Sequence, residues 1–269
     1  MHLQRRPLSE TGYDQEFAPL LVLWGARALY VGPAFGLSAH RSAVAVLAMG
    51  LDAPFGVARD PRDPSAGYRA CRTALIAPNT LHQLISSDRM AFLYLDPLSR
   101  DWEIVRTKAG QSGESIAFDL LHEDSIIECL QDLANRVRSW DQTRVLLSRC
   151  LDLRQEFQGD PRVADAIARM RHEPPDGISA VDLARVSDLS VSRFLHVFKD
   201  TTGVPFRRYR LWCRLRAVVK VAKSGASLTQ AAHAAGLAGS AHLSAAFRDM
   251  FGLSLTELNL ANVEIIDAT

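Results

Sequence analysis

The side chains best suited to chemistry in this sequence are hydrogen-bond donors and cations. Ser190, Ser192, Arg193, His196 and Lys199 crowd into one short stretch, and Ser240, His242, Ser244 and Arg248 give a similar mixture further on. Between them Arg207, Arg208, Arg210, Arg214, Arg216, Lys220 and Lys223 follow one another with no acid among them. Guanidinium forks, hydroxyls and imidazoles can read base edges in a major groove, while Lys and Arg neutralise phosphate. On that basis Ser192, Arg193 and His196 are expected to face bases, with Ser190 heading the same stretch. Lys199, Arg207 and Arg208 are expected near phosphate. A solvated helix surface is the competing explanation for the lone His196 and for the basic run.

Nothing comparable points to catalysis. No Ser/His/Asp, paired-carboxylate or phosphate-loop arrangement stands out, and Asp60, Asp63, His122, Glu123 and Asp124 are the kind of cluster found in solvated loops and caps. The chain is not expected to be an enzyme, and no cofactor is expected. Cys71, Cys129, Cys150 and Cys213 are scattered without metal spacing, so neither a zinc site nor a disulfide framework is expected.

The elements that must position these residues form an internal repeat. Ser179, Asp182, Ala184, Asp188 and Leu189 recur 48 residues later as Ser227, Gln230, Ala232, Gly236 and Leu237. Phe194, Phe198, Lys199, Asp200 and Gly203 recur 49 residues later as Leu243, Phe247, Arg248, Asp249 and Gly252. Ser179 with Asp182, and Ser227 with Gln230, are capping boxes that each start a short helix. Asp188 and Gly236 tolerate the left-handed backbone of a tight turn. A second helix then follows in each unit, locked by Phe194 and Phe198 or by Leu243 and Phe247, with the opposite face free to enter a groove. Each unit therefore has the form of a helix-turn-helix. Between them Phe206 to Lys223 reads as one helix, about 27 Å long at 1.5 Å per residue, and successive major-groove turns lie roughly 34 Å apart.

Charge and composition agree with a division into halves. Residues 161–260 hold 14 Lys/Arg against 8 Asp/Glu, and residues 1–160 hold 17 against 20. Short runs from Leu20 to Asp96, separated by Gly, Pro, Asp and Ser, predict an antiparallel sandwich or small barrel. After a loop at Gly110 to Gly113, Ile126, Ile127, Leu130, Leu133, Val137 and Trp140 predict an amphipathic helix. Leu146, Leu147, Cys150, Leu151 and Leu153 predict a second. Those helices pack on the sheet, on the following domain, or on a second copy of the chain. Gly159, Asp160 and Pro161 open the helical part, which is also broken at Pro174, Pro175, Asp176 and Gly177. The expected division is a sensor domain at 1–110, helices at 111–160, and a DNA-binding domain at 161–262. The longest apolar run, Ala43 to Leu51, is far below the roughly 18 residues of a membrane span. The opening MHLQRRPLSETGYDQEF has no apolar core of a secretion signal, so a cytoplasmic location and no membrane contact are expected.

RFLHVFKDTTGVPFRRYRLWCRLRAVVK resembles the first reading helix and linker helix of the AraC/XylS family of bacterial transcription regulators. SLTQAAHAAGLAGSAHLSAAFRDMFGLSLTEL resembles the second unit and closing helix. The resemblance covers about Ala164 to Leu258. It implies an α+β chain: a cupin-like antiparallel barrel or sandwich with flanking helices, then seven helices with two helix-turn-helix units. It also implies binding to double-stranded promoter DNA, contact with RNA polymerase, activation, a small-molecule effector at the N-terminal domain, and a homodimer. Within the pattern, His196 and Ala245 stand where many members carry a DNA-contacting Arg, and Ala241 offers no hydrogen-bonding group. Leu255 replaces a frequent Pro, and Leu258-Asn259 replaces a closing Tyr-Arg. The second unit is therefore expected to position the domain through Ser240, His242, Ser244 and Arg248 more than it specifies sequence.

ALYVGPAFGLSAHRSAVAVLAMGLDAPFGV, RTALIAPNTLHQL and AFLYLDP resemble the cupin-like sensor of the same family. Metal-binding cupins often carry His-x-His and a later His; here Ser42 follows His40, and His82 remains. Two imidazoles rarely hold a metal without a carboxylate, so His40 and His82 are expected to be structural or ligand-facing, with no metal. Two other functions remain open. One is a metal-dependent cupin enzyme carrying a DNA-binding appendage. The other is a regulator with weak DNA affinity that acts by protein pairing, in keeping with the alanine-rich Ala241 to Ala246 face.

Overall fold

Strand after strand in the first half buries both faces, and the computed structural model shows why such dense apolar runs are needed. It describes residues 18–153, 159–172, 178–258 and 262–268. The opening residues before these, the expected break at Pro174 to Gly177, and Asn259 lie outside the described residues. The strands are β1 (Leu20–Trp24), β2 (Arg27–Gly32), β3 (His40–Arg41), β4 (Val46–Gly50), β5 (Phe55–Ala58) and β6 (Tyr68–Cys71). They continue with β7 (Thr73–Ile76), β8 (Leu81–His82), β9 (Leu84–Ile85) and β10 (Met90–Tyr94). Next come helix α1 (Asp101–Arg106), strands β11 (Ala109–Ser112) and β12 (Ile116–Leu120), and helices α2 (Glu123–Ala134) and α3 (Trp140–Leu151). The helical half holds α4 (Pro161–His172), α5 (Ala180–Val186), α6 (Val191–Thr202), α7 (Phe206–Lys223), α8 (Leu228–Ala234), α9 (Ser240–Phe251) and α10 (Leu255–Leu258). Strand β13 (Glu264–Asp267) follows it.

Eight strands make one sheet in the order β11-β12-β7-β4-β10-β2-β1-β13, and β6-β5-β9 and β3-β8 make two small ones. Alternation along the strands sends Leu21, Leu23, Ala28, Tyr30, Val46, Ala48 and Phe92 into one core. It sends Leu20, Val22, Leu29, Val31, Leu47, Met49 and Leu93 into another. The second core is closed by α2 and α3 through Ile126, Ile127, Leu130, Leu133, Trp140, Leu147 and Leu151. The first is continuous with the interior of α4 to α10. A sheet covered on both faces reads as unbroken hydrophobic strands, because neither face can afford polar residues. The result is the expected α+β arrangement, a β-rich half followed by seven helices among the described residues.

The boundaries expected at 110 and 262 fall within β11 and beside β13, strands of the one large sheet. Residue 110 lies inside β11, where a loop was expected, because Gly110 and Gly113 serve close approaches to the Asp119 and Ile116 carbonyls. Residues 111–153 belong with the sheet, since their apolar stripe is buried on it. Val137, expected on that stripe, is 74% exposed, because α2 ends at Ala134. Beyond residue 262 the chain returns to the first half, where β13 pairs parallel with β1.

Candidate nucleic-acid interface and interdomain cavity

The first helix-turn-helix is built from local rules. Ser179 Oγ accepts from Asp182 N at 3.1 Å while Asp182 Oδ2 accepts from Ser179 N at 3.4 Å, which starts α5. Asp188 takes the turn at φ 52°. Ser190 then caps α6, accepting from Arg193 N at 3.2 Å, so its side chain is engaged in holding the helix start. Phe194 and Phe198 are fully buried. The opposite face exposes Ser192, Arg193, Leu195, His196 and Lys199. His196 Nε2 lies 3.1 Å from Asp200 Oδ2, one turn on.

The second unit repeats the scaffold. Ser227 Oγ accepts from Gln230 N at 3.3 Å, Gln230 Oε1 accepts from Ser227 N at 2.9 Å, and Gly236 turns at φ 70°. Leu243 and Phe247 are buried. Ser240, Ala241, His242, Ala245 and Arg248 are exposed and Ser244 is half-buried. His242 Nδ1 accepts from Ala238 N at 3.4 Å. The far end of α9 differs from that of α6, because it docks on β3. Ser38 donates through N and Oγ to the Gly252 carbonyl at 2.8 and 2.9 Å, and Ala43 N donates to Met250 Sδ at 3.1 Å.

Along α7 the basic run divides by face. Arg207 is exposed as expected. Arg208, expected at phosphate, instead donates to the Arg41 carbonyl and pairs with Asp249. The reason is helical period: Arg208, Trp212 and Arg216 recur every four residues on one side of α7. That side meets the sheet. Arg216 donates to the Gly25 carbonyl and Lys220 pairs with Asp267 of β13 at 3.2 Å, while Arg210, off that side, donates within the helical half to the Ile178 carbonyl at 3.4 Å.

A cavity of about 70 Å³ lies where α7, α9 and α10 face the sheet. Leu23, Tyr30, Phe92, Tyr94, Trp212 and Phe251 are among the residues lining its almost wholly apolar wall, and Arg216 is the one charged side chain there among the described residues. Tyr94 packs on Trp212 at 5.2 Å and on Phe251 at 5.5 Å between ring centroids. Burial pushes the Tyr94 phenol well above its ordinary value. His40 and His82, expected to be structural or ligand-facing, do not line this cavity. Their rings pack against each other, centroids 4.2 Å apart and tilted by 57°, drawn together by the β3–β8 pairing. Among the described residues no three His, Cys, Asp or Glu side chains gather as metal ligands.

Residues 183–260 match the family described as a helix-turn-helix domain. This is an AraC-type domain. No curated protein matches the chain. Among solved structures, ToxT from Vibrio cholerae O395 superposes with a TM-score of 0.54 at 10% identity, over 88% of this chain and 96% of that one. Unsaturated fatty acid bound wild-type ToxT from Vibrio cholerae strain SCE256 gives 0.51 at 11% identity, over 86% and 93%. ToxT from Vibrio cholerae O395 bound to (E)-4-(8-methylnaphthalen-1-yl)but-3-enoic acid gives 0.53 at 10% identity, over 88% and 98%. At these identities the likeness is one of fold.

Docking of the AraC-type domain brings in residues that its own motif does not announce: Arg208 and Arg216 as clamps, Tyr94 and Trp212 as cavity walls. The spacing of Arg208, Trp212 and Arg216 was the available signal. It marks a half-apolar, half-cationic face suited to another protein surface as well as to phosphate.

Proposed function

We propose that this chain is a sequence-specific regulator of transcription that binds double-stranded promoter DNA through its AraC-type domain. A small hydrophobic effector, seated between that domain and the sheet, controls it. The observation that carries the reading is the exposed face of α6, where Ser192, Arg193, His196 and Lys199 stand clear of the buried Phe194 and Phe198. In this reading Ser192, Arg193 and His196 meet base edges and Lys199 and Arg207 meet phosphate. Ser240, His242, Ser244 and Arg248 hold register from the second unit. Ser190 contributes by capping α6, and Arg208 by docking the domain.

The effector assignment rests on the apolar cavity, in place of His40 and His82. ToxT has been solved with an unsaturated fatty acid and with a naphthalenyl butenoic acid, both hydrophobic carboxylic acids. For this chain the cavity wall supports the hydrophobic part of such a molecule. An occupant of this cavity would touch both α7 and the sheet, so its binding is coupled to their docking. RNA polymerase as partner and activation as outcome come with the family resemblance. A homodimer would need surfaces other than the buried stripe of α2 and α3.

Selection of bound duplexes from a random pool, followed by a salt series on the winner, tests the DNA reading. One enriched motif is expected, with log affinity falling linearly in log salt by about 0.9 per neutralised phosphate. Recovery of no motif overturns sequence-specific binding and favours a regulator that works by protein pairing, as the exposed Ala241 and Ala245 would allow.

A further inference from the structure

β3 and β8 pair so that His40 stands directly opposite His82. Opposed residues on neighbouring strands hold their Cβ atoms about 4.5–5.5 Å apart, close enough for two imidazoles to touch. Each ring turns its Nδ1 to the carbonyl two residues before it, His40 to Ser38 at 2.8 Å and His82 to Thr80 at 2.9 Å. A carbonyl only accepts, so both Nδ1 atoms carry a proton, and charging a ring means adding the second proton at Nε2. His40 and His82 are 6% and 1% exposed, so a charged ring here loses most of its hydration.

His40 of this pair lies beneath the end of α9, and His82 is tied to it by the β3–β8 pairing. Gly252 sits so close that an added Cβ would fall on the His40 ring and 2.7 Å from the Ser38 carbonyl. The segment Ser38 to Ala43 is therefore the clasp that holds the second unit to the sheet half. The charged groups facing the pair are Arg41 on β3, Arg208 on α7 and Asp249 on α9. Asp249 already pairs with Arg208, so a charged imidazole would join two cations and share one engaged carboxylate.

We propose that His40 and His82 form an acid-sensitive latch, in which protonation of the paired rings opens the contact between the β3–β8 ribbon and the end of α9. The latch acts whether or not α6 binds DNA. Burial holds both rings below the ordinary imidazole value. For His82 the neighbouring His40 adds to it and brings the value to about 3. For His40 the Ser38 carbonyl and Asp249 oppose burial without overcoming it. A group held low when docked favours docking fully above its free value, about 6.5 for imidazole, and loses that contribution as pH falls from there toward the docked value. For His82 alone the opening equilibrium gains about 30-fold between pH 7.5 and pH 5, and His40 adds in the same direction.

Amide hydrogen exchange of the full chain, corrected for the intrinsic pH dependence of exchange, reads the latch at residues 38–43 and 250–255. Opening there is expected to rise at least about 30-fold from pH 7.5 to pH 5, while β1 and β2 keep their protection. A change within about twofold overturns the proposal. His82→Phe keeps an apolar ring in the buried position and cannot titrate. Its ratio between the two pH values, read in place of its absolute rate, is expected to fall to that of His40 alone, and His40→Phe/His82→Phe to about one. A double variant that retains the full acid response assigns the switch elsewhere and overturns the proposal. His196→Gln and His242→Gln, both on exposed faces, are expected to leave the ratio unchanged.

Discussion

The two helix-turn-helix units share their caps, their turns and their buried stripes, yet α6 and α9 meet different surroundings. α6 exposes Arg193, His196 and Lys199 along its outer face and ends at Gly203 in open space. α9 exposes Ala241 and Ala245 among its polar residues and ends at Gly252 pressed against His40 and Ser38. A repeated scaffold fixes where a helix stands within its unit. What its outer face and its far end do is decided by a few residues and by what packs beside them. In the proposed reading the first unit carries the reader, while the second is joined to the sheet half through its far end.

The two end glycines give the largest contrast. Gly203 and Gly252 both adopt left-handed backbone, at φ 71° and 77°. Alanine at either position costs about 1–2 kcal/mol for that backbone alone. Gly203→Ala meets nothing within 4 Å, so it is expected to stop there. Gly252→Ala also drives a methyl into His40 and the Ser38 carbonyl, and overpacking of this kind adds about 1–3 kcal/mol. Denaturation of both variants, with hydrogen exchange at residues 38–43, measures the difference. Equal costs would mean that α9 is not held at its end and that the units are equivalent after all.

DNA binding sharpens the same comparison. Arg193→Ala is expected to lose about 1–3 kcal/mol on the preferred duplex and to relax sequence preference at one position. Arg248→Ala is expected to weaken preferred and random duplexes alike and to reduce the salt slope by about 1. Parallel changes in preference from both variants would return the second unit to the status of a reader.

A similar contrast runs along α7. Arg207→Ala is expected to lower affinity for every duplex and to take about 1 from the salt slope, as loss of one phosphate contact does. Arg208→Ala is expected to leave the slope as it was and to raise exchange at β3 and the end of α9, since its guanidinium holds Arg41 and Asp249. A lowered salt slope in Arg208→Ala would place that side chain on phosphate in the bound state.

What could be read beforehand was what neighbouring residues decide. The capping boxes, the left-handed turns at Asp188 and Gly236, the bounds of α7 and the Phe194/Phe198 stripe all follow from local spacing. The return of β13 to β1 was hidden, because four residues ending at Asp267 carry no signal for a parallel partner more than two hundred residues away. The orientation of Arg208 was hidden for a related reason, since a cationic helix face does not say whether phosphate or a carbonyl will meet it. The cavity has no sequence signature either. It arises only where Leu23, Tyr94, Trp212 and Phe251, each an ordinary core residue in its own element, leave a gap between two halves.

The caps supply the smallest expected difference and the internal control. Ser179 and Ser227 start the supporting helices α5 and α8, and each closes a full capping box. Alanine at an N-cap costs about 1 kcal/mol, because one backbone N–H at the helix start loses its acceptor. That loss depends on the helix start alone and takes no part in docking or DNA contact. Ser179→Ala and Ser227→Ala are therefore expected to lower stability by similar amounts in denaturant titrations. Neither should alter the salt slope of DNA binding or the pH dependence of exchange at the α9 joint. If Ser227→Ala alone loosened that joint, the second unit would be transmitting strain from its first helix to its docked end. The division of labour between the units would then extend into the scaffold that they share.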